Sequence, residues 1–329
     1  MKHILVTGGA GYIGSHMVKL LIESGFLVTS FDNLSSGQKD SIHEGYLSIG
    51  DLRNINDLEK LFTSNKFDAI LHFAGLISVG ESIQNPSIYY DNNVTGSINL
   101  LKTMVKHNVK NIIFSSTAAV FGNPLTNSIS ENHPKSPINP YGKSKLIVEQ
   151  ILSDFHISHG IQYGILRYFN ASGADKSGSL GESHFPETHL IPLAIFAAVS
   201  PKHYLSIFGN DYPTDDGTCI RDYIHISDLC EAHLLVLREL LANNNKSFEF
   251  NLGNGNGYSV MDIIHSVEKL SLKKVKYKFC PRRLGDPSKL IANSTAIKNS
   301  LGWQPKYSSL DEIIQHAITW ELSKKRYII

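Results

Sequence analysis

The chain has 329 residues, of which 42% are hydrophobic, and its 31 basic and 30 acidic residues leave a formal net charge of +1. This is enough for two domains, or for one large domain with a lobe, and the balanced charge does not indicate a nucleic-acid or anionic-membrane partner. No apolar run is long enough to span a bilayer, the N-terminus has no leader pattern, and the three cysteines form no Cys-x-x-Cys pair, which together predict a cytoplasmic protein with reduced thiols.

The first predicted strand, residues 3–7, leads directly into a glycine-rich turn. Gly8, Gly11 and Gly14 have the spacing G-x-x-G-x-x-G, and a helical pattern follows over residues 13–24. Glycines at such positions let the backbone approach a pyrophosphate closely, and the helix N-terminus favours its negative charge. The order of strand, turn and helix therefore predicts a dinucleotide site rather than an ordinary turn.

The second predicted strand, residues 27–31, is followed by Asp32. An acidic side chain about 20 residues after the glycines is the type that contacts the ribose hydroxyls of a bound dinucleotide. Because its negative charge would also repel a 2′-phosphate, we predict NAD rather than NADP as the cofactor.

Strand and helix patterns continue to alternate through the first half of the chain. Further strands are predicted at residues 46–49, 69–73, 111–115 and 162–167, and further helices at 55–62, 88–107 and 141–158. The alternation predicts an α/β fold with a Rossmann-type doubly wound parallel sheet, whose functional residues follow the carboxyl ends of the strands. From about residue 171 the elements are shorter and punctuated by Gly, Pro and Asp. We therefore expect an NAD-binding domain over residues 1–170 and a smaller C-terminal α/β substrate lobe over 171–329, with some lobe segments packing back on the first domain.

Tyr141 and Lys145 are one helical turn apart in the sequence Tyr-Gly-Lys-Ser-Lys, so both side chains project from one face of the predicted helix. A free tyrosine has a pKa of about 10, and a nearby ammonium lowers that pKa because it favours the phenolate. Alone, the pair would more simply be a surface tyrosine and a solvated lysine. Together with the glycine-rich turn, it predicts a general base that accepts a hydroxyl proton.

The fifteen histidines do not indicate a metal site. The sequence contains no His-x-x-x-His, no His-Glu-x-x-His and no cysteine cluster to complete a set of ligands. We therefore predict no metal.

Several segments together resemble the extended short-chain dehydrogenase/reductase family and, within it, the sugar-nucleotide 4-epimerases. The resemblance covers almost the whole chain and rests on residues 72–76, 79–82, 89–94, 141–145, 166–170, 207–216 and 221–225. It implies an NAD-dependent isomerase that interconverts UDP-glucose and UDP-galactose by oxidation to a 4-keto sugar and non-stereospecific re-reduction at C4. It also implies a homodimer whose lobe after residue 170 binds the UDP-sugar.

The resemblance assigns roles to individual residues. Tyr141 is the base, Lys145 holds the nicotinamide ribose, and Thr117 stands where the family has a serine. The expected cofactor contacts are Gly8, Gly11, Tyr12, Ile13, Gly14, Asp32, Asn33, Asp51, Leu52, Phe73, Ala74, Gly75, Asn92, Thr117, Tyr141, Lys145 and Phe169. The expected substrate contacts are Asn170, His189, Phe208, Arg221, Arg283, Asp286 and Leu290.

Three positions depart from the family pattern. Ile77 stands where a lysine is common, and His189 replaces an asparagine. Leu290 stands where many epimerases have a tyrosine beside the C2 substituent of the sugar, which leads to the hypothesis that an N-acetyl group fits there.

Some alternatives remain open on the same scaffold. A UDP-N-acetylhexosamine, UDP-pentose or UDP-glucuronate 4-epimerase would share these motifs. A 4,6-dehydratase is disfavoured, because Ala118 and Ala119 occupy the place of its Asp-Glu pair. A non-catalytic NAD-binding sensor is a remote alternative, since it would not need the hydroxyls of Thr117 and Tyr141.

Overall fold

The computed structural model describes residues 1–200, 202–242, 245–283 and 286–324. Its strands are β1 (His3–Thr7), β2 (Leu27–Asp32), β3 (Tyr46–Ile49), β4 (Ala69–His72), β5 (Asn111–Thr117), β6 (Gln162–Tyr168), β7 (Asn170–Ser172), β8 (Leu205–Phe208), β9 (Ile220–His225), β10 (Phe248–Leu252), β11 (Gly257–Ser259), β12 (Tyr277–Cys280) and β13 (Lys289–Leu290). Its helices are α1 (Tyr12–Glu23), α2 (Ile55–Ser64), α3 (Val79–Gln84), α4 (Pro86–Tyr89), α5 (Gly96–Lys106), α6 (Pro140–His159), α7 (Leu190–Val199), α8 (Ile226–Leu241), α9 (Val260–Ser271), α10 (Thr295–Leu301) and α11 (Leu310–Ser323). A π-helical turn, Tyr90–Thr95, joins α4 to α5, and short 3₁₀ turns occupy Lys39–Ser41 and Ala118–Phe121.

Seven parallel strands form the central sheet in the order β10-β6-β5-β4-β1-β2-β3. This confirms the predicted Rossmann-type fold. The strands run further at their carboxyl ends than their apolar patterns indicate: β2 includes Asp32, and β5 continues to Thr117. The polar residues there still pair with their neighbours, and Thr117 is in register with Tyr168 of β6.

Helices cover both faces of this sheet, which explains why its inner strands are apolar throughout. In β1, Ile4 and Val6 point into a core shared with α1 and α8. Leu5 points to the opposite face, into a core shared with α2, α5 and α6. Successive side chains of a strand alternate between faces, so β1 contributes to both cores at once.

Segments after residue 170 contribute to two parts of the molecule. Strand β10 extends the central sheet by pairing with β6, and α8 covers one of its faces. The remaining segments build a smaller lobe, in which β9 pairs with β7, β11 and β13, while β8 pairs with β12. Helices α7, α9 and α11 give this lobe a core of its own. Among the described residues, no helix has the length and apolar character needed to cross a membrane.

Candidate active site

The glycine turn, residues 8–14, lies at the carboxyl end of β1 and leads into α1. Gly8 has φ +72, and a Cβ on it would be 2.6 Å from the backbone nitrogen of Ala74, so only glycine fits here. Gly11 caps α1 without a side-chain hydrogen bond, and the first turn contains no acidic residue. The first N–H groups of α1 are therefore available to an anion, as a dinucleotide pyrophosphate requires.

Tyr12 takes part in the fold through its side chain. Its hydroxyl is buried and donates to the carbonyl oxygen of Gly173 at 2.7 Å. Any contact of Tyr12 with a cofactor must therefore come from its backbone. The same holds for Ile13, because its side chain packs against the core under α1.

Carboxylates stand at the ends of β2 and β3, as the sequence predicts. Asp32 accepts the backbone N–H groups of Ala10 (3.0 Å) and Leu34 (2.8 Å), which fixes its carboxylate beside the glycine turn. Asn33 donates to Asp51 at 3.0 Å. A hydrogen-bonded ion pair with an arginine two residues further on holds the pKa of Asp51 well below its usual range. The Asp51 carboxylate is therefore an ionised acceptor at neutral pH.

The loop after β4 approaches the glycine turn from the other side. The backbone N–H groups of Phe73 and Ala74 both donate to the carbonyl oxygen of Thr7, at 3.0 and 3.1 Å. A Cβ on Gly75 would lie 3.2 Å from Nζ of Lys145, so the loop meets α6 closely. Leu52, a predicted cofactor contact, is buried, and Ile77, which stands where the family commonly has a lysine, is 46% exposed.

Tyr141, Lys145 and Thr117, which we call the candidate trio, meet at the carboxyl end of β5. Helix α6 begins at Pro140, and the side chain of Asn139 caps it by accepting the N–H of Gly142 at 2.8 Å. The Tyr141 side chain hydrogen-bonds that of Thr117. The three side chains that were predicted from separate motifs are thus brought together.

The pKa values of Tyr141 and Lys145 differ from the sequence-based expectation. Lys145 was expected to lower the pKa of Tyr141. Instead, burial raises the pKa of Tyr141, and the hydrogen bond from Thr117 is the interaction that lowers it. Lys145 is itself only 3% exposed, and its Nζ donates to the carbonyl oxygen of Ser115 at 3.0 Å. Burial lowers the pKa of Lys145 to about 8, so the protein alone does not favour the phenolate.

Asn93 is a site residue that sequence reasoning missed. Its buried carboxamide accepts the N–H of Leu76 (2.8 Å) and donates to the Leu76 carbonyl (3.1 Å) and to Oγ of Ser144 on α6 (3.0 Å). The predicted contact Asn92 donates to the same carboxamide. Asn93 lies in the π-helical turn, a feature that is frequent at functional sites. A polar residue within an apolar helical pattern was the signal available in the sequence.

A buried ion network holds α6 against the sheet and was also not predicted. Arg167 on β6 is fully buried and forms two hydrogen bonds with Glu149, at 2.7 and 2.8 Å. Glu149 also accepts from Ser116 on β5 at 2.6 Å, and Arg167 reaches Glu249 on β10 at 2.5 Å. Glu149 lies four residues beyond Lys145, so the network fixes the helical face that carries Tyr141 and Lys145.

On the lobe side, Arg221 and Arg283 each contact another residue of the lobe. Arg221 on β9 forms an ion pair with Asp286 at 2.9 Å. The guanidinium carbon of Arg283 lies 3.8 Å from the ring centre of Phe208, at the end of β8. The two pairs are joined because the N–H of Asp286 donates to the carbonyl of Arg283 at 3.4 Å. The structure therefore brings these four predicted substrate residues together.

The remaining predicted residues fall into two groups. Asn170 donates to the carbonyl oxygen of Asp222 at 3.0 Å and lines a cavity with His189, the residue before α7. Burial opposes protonation of His189, but the nearby carboxylates of residues 182 and 187 outweigh it and raise the pKa of His189 to about 10. Leu290 and Phe169 pack against one apolar cluster beside the 3₁₀ turn that follows Thr117.

Comparison with known proteins adds an independent result. A family model described as GDP-mannose 4,6 dehydratase matches residues 5–317. A UDP-glucose 4-epimerase of Halalkalibacterium halodurans is 46% identical over 96% of this chain and 95% of its own length. The structure of the Bifidobacterium longum UDP-glucose 4-epimerase in complex with NAD+ and UDP is 38% identical, with a TM-score of 0.93 over 98% of this chain and 99% of that one. The UDP-Glc/GlcNAc 4-epimerase of Campylobacter jejuni is 42% identical, with a TM-score of 0.85 over 98% of this chain and 100% of that one.

Proposed function

The chain belongs to the UDP-glucose 4-epimerase family of extended short-chain dehydrogenases/reductases, and we propose that it interconverts UDP-glucose and UDP-galactose as an NAD-dependent isomerase. The observation that carries this proposal is the convergence of Tyr141, Thr117 and Lys145 at the end of β5, beside the glycine turn. Oxidation of a sugar alcohol needs a group that accepts the hydroxyl proton, in contact with a site for the dinucleotide.

The residues present fit NAD. The open first turn of α1 suits the pyrophosphate. Asp32 uses two acceptor positions for backbone N–H groups, and a carboxylate has about four, so it can also accept ribose hydroxyls. In this proposal, Lys145 donates to the nicotinamide ribose and the other predicted cofactor contacts bind the rest of the dinucleotide. Bound NAD supplies the hydride acceptor and donor for C4 of the sugar.

Tyr141 carries the proton in the proposed mechanism. As phenolate, it removes the proton of the C4 hydroxyl, directly or through the hydroxyl of Thr117. Because burial raises its pKa, Tyr141 needs a positive charge beyond that of Lys145, and the oxidised nicotinamide provides it. When the 4-keto sugar is reduced on its opposite face, Tyr141 returns the proton and C4 is inverted.

The lobe holds the UDP portion while the sugar turns. Arg221 and Arg283 exchange their present partners for diphosphate oxygens, which the planar guanidinium binds well. Moving Arg283 exposes the Phe208 ring as a stacking surface for the uracil base, and Asn170 and Asp286 complete the nucleotide contacts. Because the UDP stays bound, the keto sugar is retained for re-reduction.

The name of the matching family model raises dehydration as a rival reaction. Elimination of water would need an acid and a base next to Thr117. The residues there, Ala118 and Ala119, begin the 3₁₀ turn and have no ionisable group. Epimerisation needs no acid-base pair at these two positions, so it is the reaction that this chain supports.

A second substrate class is favoured by one position. Leu290, half-buried beside Phe169, leaves more room than a tyrosine would at the expected C2 side of the sugar. We therefore propose that UDP-N-acetylhexosamines are also epimerised, a specificity like that named for the Campylobacter jejuni relative.

We further propose a cytoplasmic homodimer in which α5 and α6 pair with those of a second copy. Ile157 on α6 is 80% exposed and would be covered there. We also propose the division into an NAD-binding domain, residues 1–170, and a UDP-sugar lobe, residues 171–329, of which 201, 243–244, 284–285 and 325–329 lie outside the described residues.

An isotope experiment tests the reaction. The purified chain is given UDP-galactose deuterated at C4, with no added NAD, and the products are analysed by mass spectrometry and NMR. We expect UDP-glucose that retains the deuterium at C4, because the hydride never leaves the site, and a slower rate than with unlabelled sugar. Absence of UDP-glucose, or loss of the deuterium to solvent, would contradict the proposal.

A further inference from the structure

Four potential metal ligands cluster in the segment between β7 and α7. Glu182, His184, Glu187 and His189 each offer one ligand atom, and all four atoms lie within 4.8 Å of one another. Nδ1 of His184 is 3.1 Å from the Glu182 carboxylate and 3.9 Å from that of Glu187, and Nδ1 of His189 is 3.3 Å from Glu187. The spacing Glu-x-His-x-x-Glu-x-His differs from the His-x-x-x-His, His-Glu-x-x-His and cysteine patterns of common zinc sites.

These separations are close to those in a tetrahedral zinc site. Zinc bonds to nitrogen and oxygen of about 2.0–2.2 Å at tetrahedral angles put neighbouring ligand atoms about 3.3–3.5 Å apart. Two of the measured pairs, at 3.1 and 3.3 Å, are near this range, and the third, at 3.9 Å, is longer. His189 and Glu182 are in closer contact and would separate slightly around an ion.

The ligand atoms converge, and Nδ1 of His184 hydrogen-bonds the Glu182 carboxylate at 3.1 Å. Nδ1 of His189 is buried and has no hydrogen-bonding partner of acceptable geometry, although it lies against the Glu182 carboxylate. An ion placed among the four atoms would satisfy all of them at once.

The backbone around the cluster is held in place. Glu182 is only 5% exposed, and its carbonyl oxygen accepts the indole N–H of Trp320 at 2.7 Å. The Trp320 ring packs against Gly181, where no side chain would fit. The Glu187 carboxylate accepts the backbone N–H of His189 at 3.0 Å. The ligands are therefore arranged before any ion binds.

The charge of the cluster also suits a divalent cation. Within the described ranges, no lysine or arginine forms an ion pair with either Glu182 or Glu187. Once His189 has released its proton to bind the ion, two carboxylates and two neutral imidazoles around one divalent cation have no net charge. Imidazole and carboxylate in a tetrahedral set are ligands typical of Zn²⁺.

From this geometry we infer that Glu182, His184, Glu187 and His189 form a structural Zn²⁺ site, in contrast to the sequence-based expectation of no metal. The ion fixes the segment before α7. Because Glu182 and His189 also line the cavity next to Asn170, the ion sets the shape of the lobe side of that cavity. This inference does not depend on the proposed epimerase activity.

Metal binding to the full-length protein tests the site directly. The chain is treated with EDTA, dialysed, and titrated with Zn²⁺ by calorimetry and with Co²⁺ by visible absorption. His184→Ala and Glu187→Gln each remove one ligand and leave the cavity-lining Glu182 and His189 in place. His265→Ala is the matched control, because His265 is an exposed histidine on α9.

We expect one Zn²⁺ per chain and intense Co²⁺ bands of a four-coordinate site that zinc abolishes. Removing a residue that hydrogen-bonds a metal ligand typically weakens metal affinity 10- to 100-fold. Removing a ligand itself should therefore weaken metal affinity by about 100-fold or more. The control should bind as the unmodified chain does. Equal affinity in all three variants, or no tight Zn²⁺ binding to the unmodified chain, would show a metal-free network of charged hydrogen bonds and overturn the inference.

Discussion

The two sides of the candidate active site are held in different ways. On the sheet side, Lys145, Arg167 and Asn93 are buried and hydrogen-bonded to fixed parts of the fold. On the lobe side, Arg221 and Arg283 rest on groups of the same lobe that are themselves proposed to bind substrate. The sheet side therefore has its geometry before any ligand arrives, while the lobe side must exchange contacts when substrate binds.

This difference suits a reaction that returns its cofactor unchanged. A preorganised surface loses little entropy on binding, and this allows a tightly held dinucleotide to stay in place. A surface that exchanges existing ion pairs for diphosphate contacts gains less net affinity, and this allows UDP-sugars to enter and leave. Substitutions on the sheet side should accordingly change the chemical step or stability, and those on the lobe side should change KM.

The largest effect is expected for Tyr141→Phe. Because it removes the only proton acceptor proposed for the C4 hydroxyl, kcat should fall by roughly 10²- to 10⁴-fold, the usual range for a general base. The buried ring is kept, so bound NAD, measured by absorbance after denaturation, should be unchanged. A variant with more than a tenth of the original kcat would show that Tyr141 is not the base.

A large loss of stability is expected for Glu149→Gln. It leaves the fully buried Arg167 without its two-point partner, and breaking a buried ion pair in this way costs about 3–5 kcal/mol of unfolding free energy. The matched control is Glu249→Gln, because Glu249 contacts the same arginine but its side chain is 39% exposed. Chemical denaturation followed by circular dichroism measures both. If Glu249→Gln destabilises the protein as much, the network is not centred on Glu149.

On the lobe side, Arg221→Ala should raise the KM for UDP-galactose roughly 10- to 100-fold, as expected for hydrogen bonds to a charged group. Bound NAD should be unaffected, because the contacts of Arg221 are with Asp286 and the Ile220 carbonyl of the lobe. Arg282→Ala is the control: Arg282 is exposed, stacks on the Tyr212 ring at 4.2 Å and pairs with Asp211. Its KM should change about twofold at most. Steady-state kinetics that show equal effects would contradict the diphosphate role.

The smallest effect is expected for Leu290→Tyr, which tests specificity within the lobe. The larger ring should lower kcat/KM for UDP-N-acetylgalactosamine roughly tenfold relative to UDP-galactose, a modest effect typical of a change in pocket size. Leu290→Met, of similar volume to leucine, should leave the ratio unchanged. Melting temperatures of both variants separate a packing defect from a change in specificity. If the ratio of the two kcat/KM values is unaltered in the tyrosine variant, Leu290 does not lie at the C2 side of the sugar.

Local patterns predicted the sheet and the catalytic end of the site well. The glycine turn, the apolar strands and the one-turn spacing of Tyr141 and Lys145 are features of neighbouring residues, so sequence alone contains them. The strand ends were less predictable, because Asp32 and Thr117 pair by backbone hydrogen bonds regardless of their polar side chains.

Features that depend on distant residues were not predictable. The pKa of Tyr141 rises because the fold buries it, which no spacing reveals. Arg167 meets Glu149 only through the packing of α6 on β6, and Asn93 meets Ser144 only because the helix containing the π turn lies beside α6. Each of these contacts joins elements whose mutual position is set by the folded core.

The pairing of β10 with β6 has a consequence for how the protein is made. Gly164 of β6 lies beside Phe248 of β10, so the sheet edge has no partner until the ribosome has completed most of the chain. Until then, the backbone N–H and C=O groups of β6 are open to pairing with other nascent polypeptides. A synthesis that stops near residue 170 should therefore give an insoluble product rather than a free-standing nucleotide-binding unit.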